Sequence, residues 1–158
     1  MYKELESRYN DKLSDSDIVE TLNELITICL DGVAGYEMAA EAADRERSRV
    51  MFQAYAGQRR VFAEQLSAFV SQHGGKPARN EHIAGELHQA WLGLRAALSG
   101  GDYAILAECA RGDSYAVAKY HEALEAELPE DIHEIVQEQY SEISQAQAKM
   151  NDLATLAS

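Results

Sequence analysis

The sequence predicts an all-α protein in which four long helices form a bundle, with a long connection between the second and the third. Apolar residues recur at intervals of three and four through most of the chain, which is the spacing of one helix face. No segment shows the alternation of apolar and polar residues that is typical of a half-buried strand. Sharp breaks follow the first and third long helices, whereas about 25 residues separate the second from the third. We therefore expect two antiparallel helix pairs joined by one long crossover.

The first two helices are defined by their apolar stripes and by the residues that end them. The first is predicted over residues 18–47, with Ser16 or Asp17 as its N-cap and a stripe that runs from Ile18 to Ala43. The second is predicted over residues 48–73, where Gly74-Gly75-Lys76-Pro77 stops it. The tight turn near Ser48 makes this pair antiparallel.

The crossover and the second helix pair follow. A shorter helix is predicted over residues 81–98, and Gly100-Gly101-Asp102 breaks the chain before the third long helix. That helix is expected to end near Leu128, and Pro129 begins the fourth helix, with acidic residues in its first turn. Eighteen helical residues span roughly 27 Å, so the shorter helix could return the chain along the whole bundle. One long crossover of this kind is the ferritin-like arrangement. A plain up-down bundle with an extra helix laid across it is the alternative.

Composition and charge restrict the class of protein. The chain has 158 residues, 46% of them hydrophobic, and no linker divides it, so residues 18–158 are expected to form one domain behind a polar arm of residues 1–17. The net charge of −13 argues against nucleic acid and anionic membranes as partners, because both attract clustered Lys and Arg. No stretch approaches the ~20 apolar residues of a membrane span and no signal peptide is recognisable, so a cytoplasmic location is expected. Cys29 and Cys109 lie on apolar faces and are predicted to be buried thiols.

Asp113 is the most informative residue, because it lies at the centre of the apolar stripe of the third helix. A buried carboxylate is costly unless it is paired, hydrogen-bonded or bound to a metal. Counted from the predicted turn near Ser48, Asp113 lies about 12 residues down the bundle, and polar residues of the other helices fall at the same depth. The sequence therefore predicts a polar layer in the middle of the bundle, formed by Glu37, Gln58, Arg59, Asp113 and Gln147.

This layer resembles the site of ferritin-like di-iron carboxylate proteins, with several ligands replaced. Such proteins carry a Glu on each of two helices and Glu-x-x-His on each of the other two. Glu37 and Asp113 match the single acids, but Arg59 and Phe62 stand where one Glu-x-x-His is wanted, and Gln147 stands where a His or Glu is wanted.

A wider pattern covers the chain from about Ile18 to its end. It comprises Asp31-Gly32, Gly35-Tyr36, Ala39-Ala40-Glu41, Gln58-Arg59, Phe62, Gly74-Gly75-Lys76-Pro77, His88, Trp91, Gly112-Asp113, Tyr120, Ala123-Leu124 and Gln139. In order and spacing it resembles an uncharacterised bacterial family of ferritin-like four-helix-bundle proteins, a domain of unknown function. The resemblance implies the fold, a stress-related role and a homodimer, with no assigned reaction.

Two hypotheses follow for the layer. In the first, Arg59 pairs with Asp113 or Glu37, the protein is non-catalytic, and no cofactor is needed. In the second, Glu37, Glu41 and Asp113 bind Fe or Mn for oxidase or storage chemistry, since hard oxygen ligands suit these ions. Either hypothesis leaves a candidate pocket beside the layer, lined by Tyr36, Tyr55, His88, Trp91 and Tyr120.

Overall fold

The computed structural model describes residues 13–79 and 91–156, and these residues contain five α-helices. The helices are α1 (Asp15–Ala42), α2 (Glu46–Gln72), α3 (Gly93–Ala97), α4 (Asp102–Glu125) and α5 (Glu130–Leu156). The four long helices pack as a bundle. Helix α1 packs mainly on α2, and α4 packs mainly on α5, while α1 also contacts α4 and α2 contacts α5. The predicted all-α bundle is confirmed.

The long crossover is confirmed by the place where α4 begins. Asp102, the first residue of α4, accepts hydrogen bonds from the backbone N–H groups of Asp44 (2.8 Å) and Arg45 (3.2 Å). Both donors lie in the turn between α1 and α2. Helix α2 therefore runs away from this end of the bundle, and the connection between α2 and α4 returns the chain to it. This is the ferritin-like topology predicted from the connection lengths.

The first helix boundaries differ from those predicted. Helix α1 begins at Asp15, because the hydroxyl of Ser14 accepts a hydrogen bond from the backbone N–H of Asp17 at 3.1 Å. Ser14, rather than Ser16 or Asp17, is therefore the cap, and the last residues of the predicted polar arm are helical. Helix α1 ends at Ala42, since Ala43 has extended backbone angles. The predicted end at residue 47 was wrong, and those residues form the turn and the start of α2.

The second helix ends as predicted, at the Gly74-Gly75 pair. Gly74 has a φ of 78°, which glycine adopts without strain, and the N–H of Gly75 bonds the carbonyl of Val70 at 3.0 Å. The chain then returns against α1, where the Asn23 side chain bonds the backbone of Lys76 and Ala78. Of the predicted short helix, residues 81–90 lie outside the described residues, and the described part is α-helical only over α3.

The core consists of two apolar clusters, one in each half of the bundle. One lies towards the start of α1 and the α4–α5 turn, with Leu22 and Val136 among its members. The other lies towards the α1–α2 turn and contains Phe52, Ile105 and Trp91. Arg59 and Asp113 are buried but belong to neither cluster. None of the described helices is long and apolar enough to cross a membrane.

Candidate functional site

Arg59 on α2 and Asp113 on α4 form an ion pair inside the bundle. Their side chains are 1% and 0% exposed. The guanidinium Nη1 lies 2.6 Å from Asp113 Oδ1, and Nη2 lies 3.0 Å from Oδ2, so the contact is bidentate. This geometry matches the planar guanidinium to the planar carboxylate, and it is among the strongest hydrogen-bonded arrangements in proteins. The pair joins α2 to α4 across the bundle.

Two further side chains complete the hydrogen bonds of this pair. The Tyr36 hydroxyl on α1 donates to Asp113 Oδ2 at 2.5 Å, and Arg59 Nε donates to Gln58 Oε1 at 3.1 Å. The guanidinium carbon also lies 5.3 Å from the centre of the Tyr36 ring, within the range of a cation–π interaction. Asp113 thus accepts three hydrogen bonds, and both of its oxygens are engaged.

The charges in this layer stabilise one another. Burial lowers the pKa of Arg59, but the adjacent Asp113 carboxylate and its hydrogen bonds raise it more, so the pKa of Arg59 lies above its ordinary value. Burial, followed by the charge of Asp113, raises the pKa of Tyr36 well above its ordinary value. Tyr36 therefore remains a protonated donor at neutral pH.

Trp91 covers this layer from the crossover. It is 3% exposed, and its ring lies 5.3 Å from the Tyr36 ring, edge to face. The indole fits between α1 and α4 because both helices have a glycine there. A Cβ added at Gly35 or at Gly112 would overlap the indole ring. Trp91, predicted to line a pocket beside the layer, is therefore packed against the layer itself, whereas His88 lies outside the described residues.

A second polar network lies farther along α4. The Tyr120 hydroxyl donates to Gln139 Oε1 at 2.7 Å, and Gln139 Nε2 donates to Gln65 Oε1 at 2.9 Å. The Cys29 thiol lies 3.1 Å from the same hydroxyl. Tyr120 thus belongs to this network and does not bond Asp113 or Arg59. Burial raises the pKa of Cys29 to about 11, although its hydrogen bond with Tyr120 and the charge of Arg59 lower it.

Three residues predicted for the buried layer are less buried than expected, and only Gln58 of the three contacts the Arg59–Asp113 pair. Glu37 is 53% exposed and pairs with Arg60 at 2.6 Å, so its predicted place in the layer was wrong. It follows the inward-pointing Tyr36, and a helical step of about 100° turns it to the surface. Gln58 is half-buried and caps Arg59 Nε. Gln147 is partly exposed and donates to Ser114 Oγ at 3.2 Å, without reaching Asp113.

The carboxylates of the alternative metal set are not brought together. Glu37 and Glu41 line an open cleft that Arg49 and Arg60 also line, whereas Asp113 lies inside the bundle. Across residues 13–79 and 91–156, no group of three or more His, Cys, Asp or Glu side chains is arranged to hold a metal ion. Among the described residues, the arrangement of Glu37, Glu41 and Asp113 therefore does not fit the Fe or Mn site of the second hypothesis.

Two buried polar residues were not predicted to belong to the buried layer or to any other polar network. Gln139 is 1% exposed, and Asp31 on α1 is 5% exposed. Asp31 shares a face of α1 with Ile28 and Gly35, at helical steps of three and four, and both of these residues are buried. This second buried face is the sequence signal that could have identified Asp31 as buried. The predicted stripe from Ile18 to Ala43 does not contain it.

Tyr55 lies between the buried layer and the surface. Its ring is 5.4 Å from the Tyr36 ring, and its side chain lines an open groove near the α1–α2 turn. Burial, followed by the charge of Asp113, raises the pKa of Tyr55.

Two solved structures are similar to the chain over most of its length. A mutant of Dps1 from Mycobacterium smegmatis has a TM-score of 0.76 at 12% identity, covering 89% of this chain and 96% of that one. The bacterioferritin-related protein of Bacteroides fragilis, described as a dodecameric thioferritin, has a TM-score of 0.74 at 14% identity, covering 97% of this chain and 93% of that one. At this identity the likeness shows the ferritin-like fold alone.

Sequence comparison gives the family. A search of curated proteins finds no match. The model of the domain of unknown function DUF2383 matches residues 17–126, which is well over half of the chain. The chain therefore belongs to the DUF2383 family, and its fold is ferritin-like.

Proposed function

We propose that this chain is a non-catalytic ferritin-like protein in which an arginine–aspartate pair stands in place of a metal centre. The observation that carries the proposal is the bidentate contact of Arg59 with Asp113, at 2.6 and 3.0 Å, between two fully buried side chains. The buried carboxylate of Asp113 therefore already binds a cation of the protein itself.

The electrostatics of the layer support the absence of a bound metal ion. An arginine is always charged, and an additional cation beside it would be repelled in a site from which water is excluded. Both oxygens of Asp113 accept hydrogen bonds from Arg59, and Oδ2 accepts one more from Tyr36. A metal ion would have to displace these donors and would leave the guanidinium buried without a partner, which is costly.

The protonation states in the bundle support a non-catalytic role. Burial raises the pKa values of the Cys109 thiol and of the Tyr120 hydroxyl well above their ordinary values. A thiol attacks as the thiolate, and a general base must accept a proton near the working pH. At neutral pH these two groups remain protonated, and therefore do not supply a nucleophile or a base.

We expect such a protein to act through its surface and its assembly. The similar Bacteroides fragilis protein is described as dodecameric, so self-association is plausible for this fold. Our proposal is a homodimer in the cytoplasm, with no nucleic-acid partner, in a stress-related role taken from the family resemblance alone. Sedimentation velocity across a range of protein concentrations tests the dimer, and a species that stays monomeric throughout would contradict it.

Metal analysis tests the proposal at the buried layer. The protein is purified without chelators from cells supplied with Fe and Mn, and its metal content is measured by mass spectrometry. We expect amounts far below stoichiometry, both in the wild-type chain and in Asp113→Asn, which keeps the shape of the side chain. Stoichiometric Fe or Mn that is lost in Asp113→Asn but kept in the surface variant Glu142→Gln, which belongs to no proposed ligand set, would overturn the proposal.

A further inference from the structure

A groove of about 700 Å³ opens at the end of the bundle beside the α1–α2 turn. Its walls come from α2, α4 and α5, and they are largely apolar. The apolar contacts are supplied by Val50, Met51, Tyr55, Leu106 and Leu153. This volume lies in the range of pockets that hold small molecules, and such pockets are typically apolar with a few polar groups that fix orientation.

Three cations line the same groove, and no carboxylate does. They are Arg45, Arg47 and Lys149. Within the described ranges, none of the three makes an ion pair with a carboxylate, whereas Arg49 and Arg60 do. Arg45 lies over the Tyr103 ring, 5.6 Å from its centre, but none of the three charges is neutralised by a carboxylate among the described residues, so the groove is a local reversal of charge in a chain with a net charge of −13. A bound anion would be attracted to it, and the low dielectric of the apolar walls would strengthen that attraction.

Much of the apolar surface that is exposed to water among the described residues lies in this groove. Val50 is 54% exposed, Tyr103 41% and Leu156 84%, and all three line it. They make up half of the six large hydrophobic residues that are exposed in residues 13–79 and 91–156. Apolar surface gathered in one place, with charges beside it, is typical of a binding site rather than of scattered exposure.

We propose that this groove binds a single-chain amphiphile with an anionic head, of the class of long-chain carboxylates. The alkyl chain lies along Val50, Leu106 and Leu153, and the burial of the alkyl chain and of the exposed Val50 side chain removes apolar surface from water. The carboxylate lies among Arg45, Arg47 and Lys149, which provide hydrogen-bond donors and positive charge. A second copy of the chain is a poorer occupant, because it would need a convex apolar projection to fill a concave groove.

A fluorescence titration with cis-parinaric acid, kept below its critical micelle concentration, tests the proposal on delipidated protein. We expect saturable binding that weakens as salt is added, since the head group is held by charge. The uncharged cis-parinaryl alcohol should bind about tenfold more weakly or worse, the loss expected when a charge-assisted hydrogen bond is absent. Equal binding of acid and alcohol, or no saturable binding of the acid, would overturn the proposal.

Matched variants locate the site. The double variant Arg47→Glu with Lys149→Glu should abolish binding of cis-parinaric acid. The control is Arg79→Glu with Arg95→Glu, which changes the net charge by the same amount at exposed positions outside the groove. This control should leave binding unchanged. Ala54→Trp fills the groove without changing charge and should also abolish binding. Circular dichroism confirms the fold of each variant, and Arg47→Gln with Lys149→Gln replaces the reversal if that variant does not fold. An equal loss of cis-parinaric acid binding in the two double variants would show that the acid does not bind in this groove. An Ala54→Trp variant that binds the acid normally but no longer self-associates would show that the groove is an interface between copies of the chain.

Discussion

The Arg59–Asp113 pair shows how two residues can depend on one another. Removing either charge leaves the other buried and unpaired, and a buried unpaired charge is one of the most costly defects in a folded protein. Replacing both by apolar residues of similar volume removes the desolvation of both charges together, and such replacements are often neutral. The stability of the chain should therefore depend on whether the two substitutions are made singly or together.

Arg59→Met should lower the free energy of unfolding by about 3–5 kcal/mol, because Asp113 is left without its cation. Arg59→Met combined with Asp113→Leu should recover most of this loss. The matched control is Arg60→Met, which breaks an exposed pair with Glu37 and should cost less than about 1 kcal/mol. Urea denaturation measures all three, and an Arg59→Met variant as stable as Arg60→Met would contradict the structural role of the pair.

The buried thiol of Cys29 predicts a loss of stability in alkali. Its pKa is about 11 in the folded chain and 9.0 without the fold, so between these values the unfolded chain releases a proton that the native chain keeps. Stability is fully present below pH 9 and falls as the pH rises towards 11, by roughly 2–3 kcal/mol from this thiol alone. Urea denaturation at pH 8, 9, 10 and 11 measures the slope. Cys29→Ala should show a shallower slope, and an identical slope would contradict the assignment.

At the scale of the elements, Trp91 links the crossover to two helices that are far apart in sequence. Its ring fills the space left by Gly35 on α1 and Gly112 on α4. At this level of the bundle the indole fills the space between α1 and α4, in addition to the hydrogen bond that joins Tyr36 of α1 to Asp113 of α4. Asp102 makes a second link of this kind, since its carboxylate binds the turn between α1 and α2. Together they fix the second helix pair against the first.

Gly35→Ala and Gly112→Ala should each destabilise the chain by about 1–3 kcal/mol, because the added methyl group overlaps Trp91 and either the indole or a helix must move. Gly57→Ala is the matched control in a long helix, as nothing lies within 4 Å of its added Cβ. It should stabilise α2 by about 0.5–1 kcal/mol, since Ala is a better helix former than Gly. Thermal unfolding and the fluorescence of Trp91 measure the effect. A Gly112→Ala variant with unchanged stability and emission would show that the indole is not held between the helices.

At the scale of the whole molecule, the sequence predicted the features that depend on helix periodicity and on the lengths of the connections between helices. Long amphipathic stripes gave the four helices, and the long segment between the second and third gave the crossover. The sequence also offered Asp113 and Glu37 as the two possible partners of Arg59, because a charge at the centre of an apolar stripe requires a partner at the same depth, and the structure pairs Arg59 with Asp113. Glu37 was misplaced because it lies at the edge of its stripe, where one helical step separates a buried side chain from an exposed one.

Other features of the site depend on contacts that no single helix pattern contains. The partnership of Gln139 with Tyr120 requires the rotation of α5 against α4, and that rotation is set by packing. The role of the glycines at 35 and 112 requires the knowledge that an indole from the crossover lies between them. The groove beside the α1–α2 turn combines residues from three helices at one end of the bundle, so it is not visible along any one stripe.

Because each of the two buried charges depends on the other, Arg59 and Asp113 are also constrained in how they can change during evolution. A lineage that changes one position alone must pass through a protein with an isolated buried charge, and such intermediates are removed by selection because stability has a threshold. The two positions should therefore change together or not at all. Across DUF2383 sequences, we expect those without an arginine at position 59 to lack the aspartate at position 113 as well. Such sequences would then be the members of the family in which to look for a different occupant of the layer.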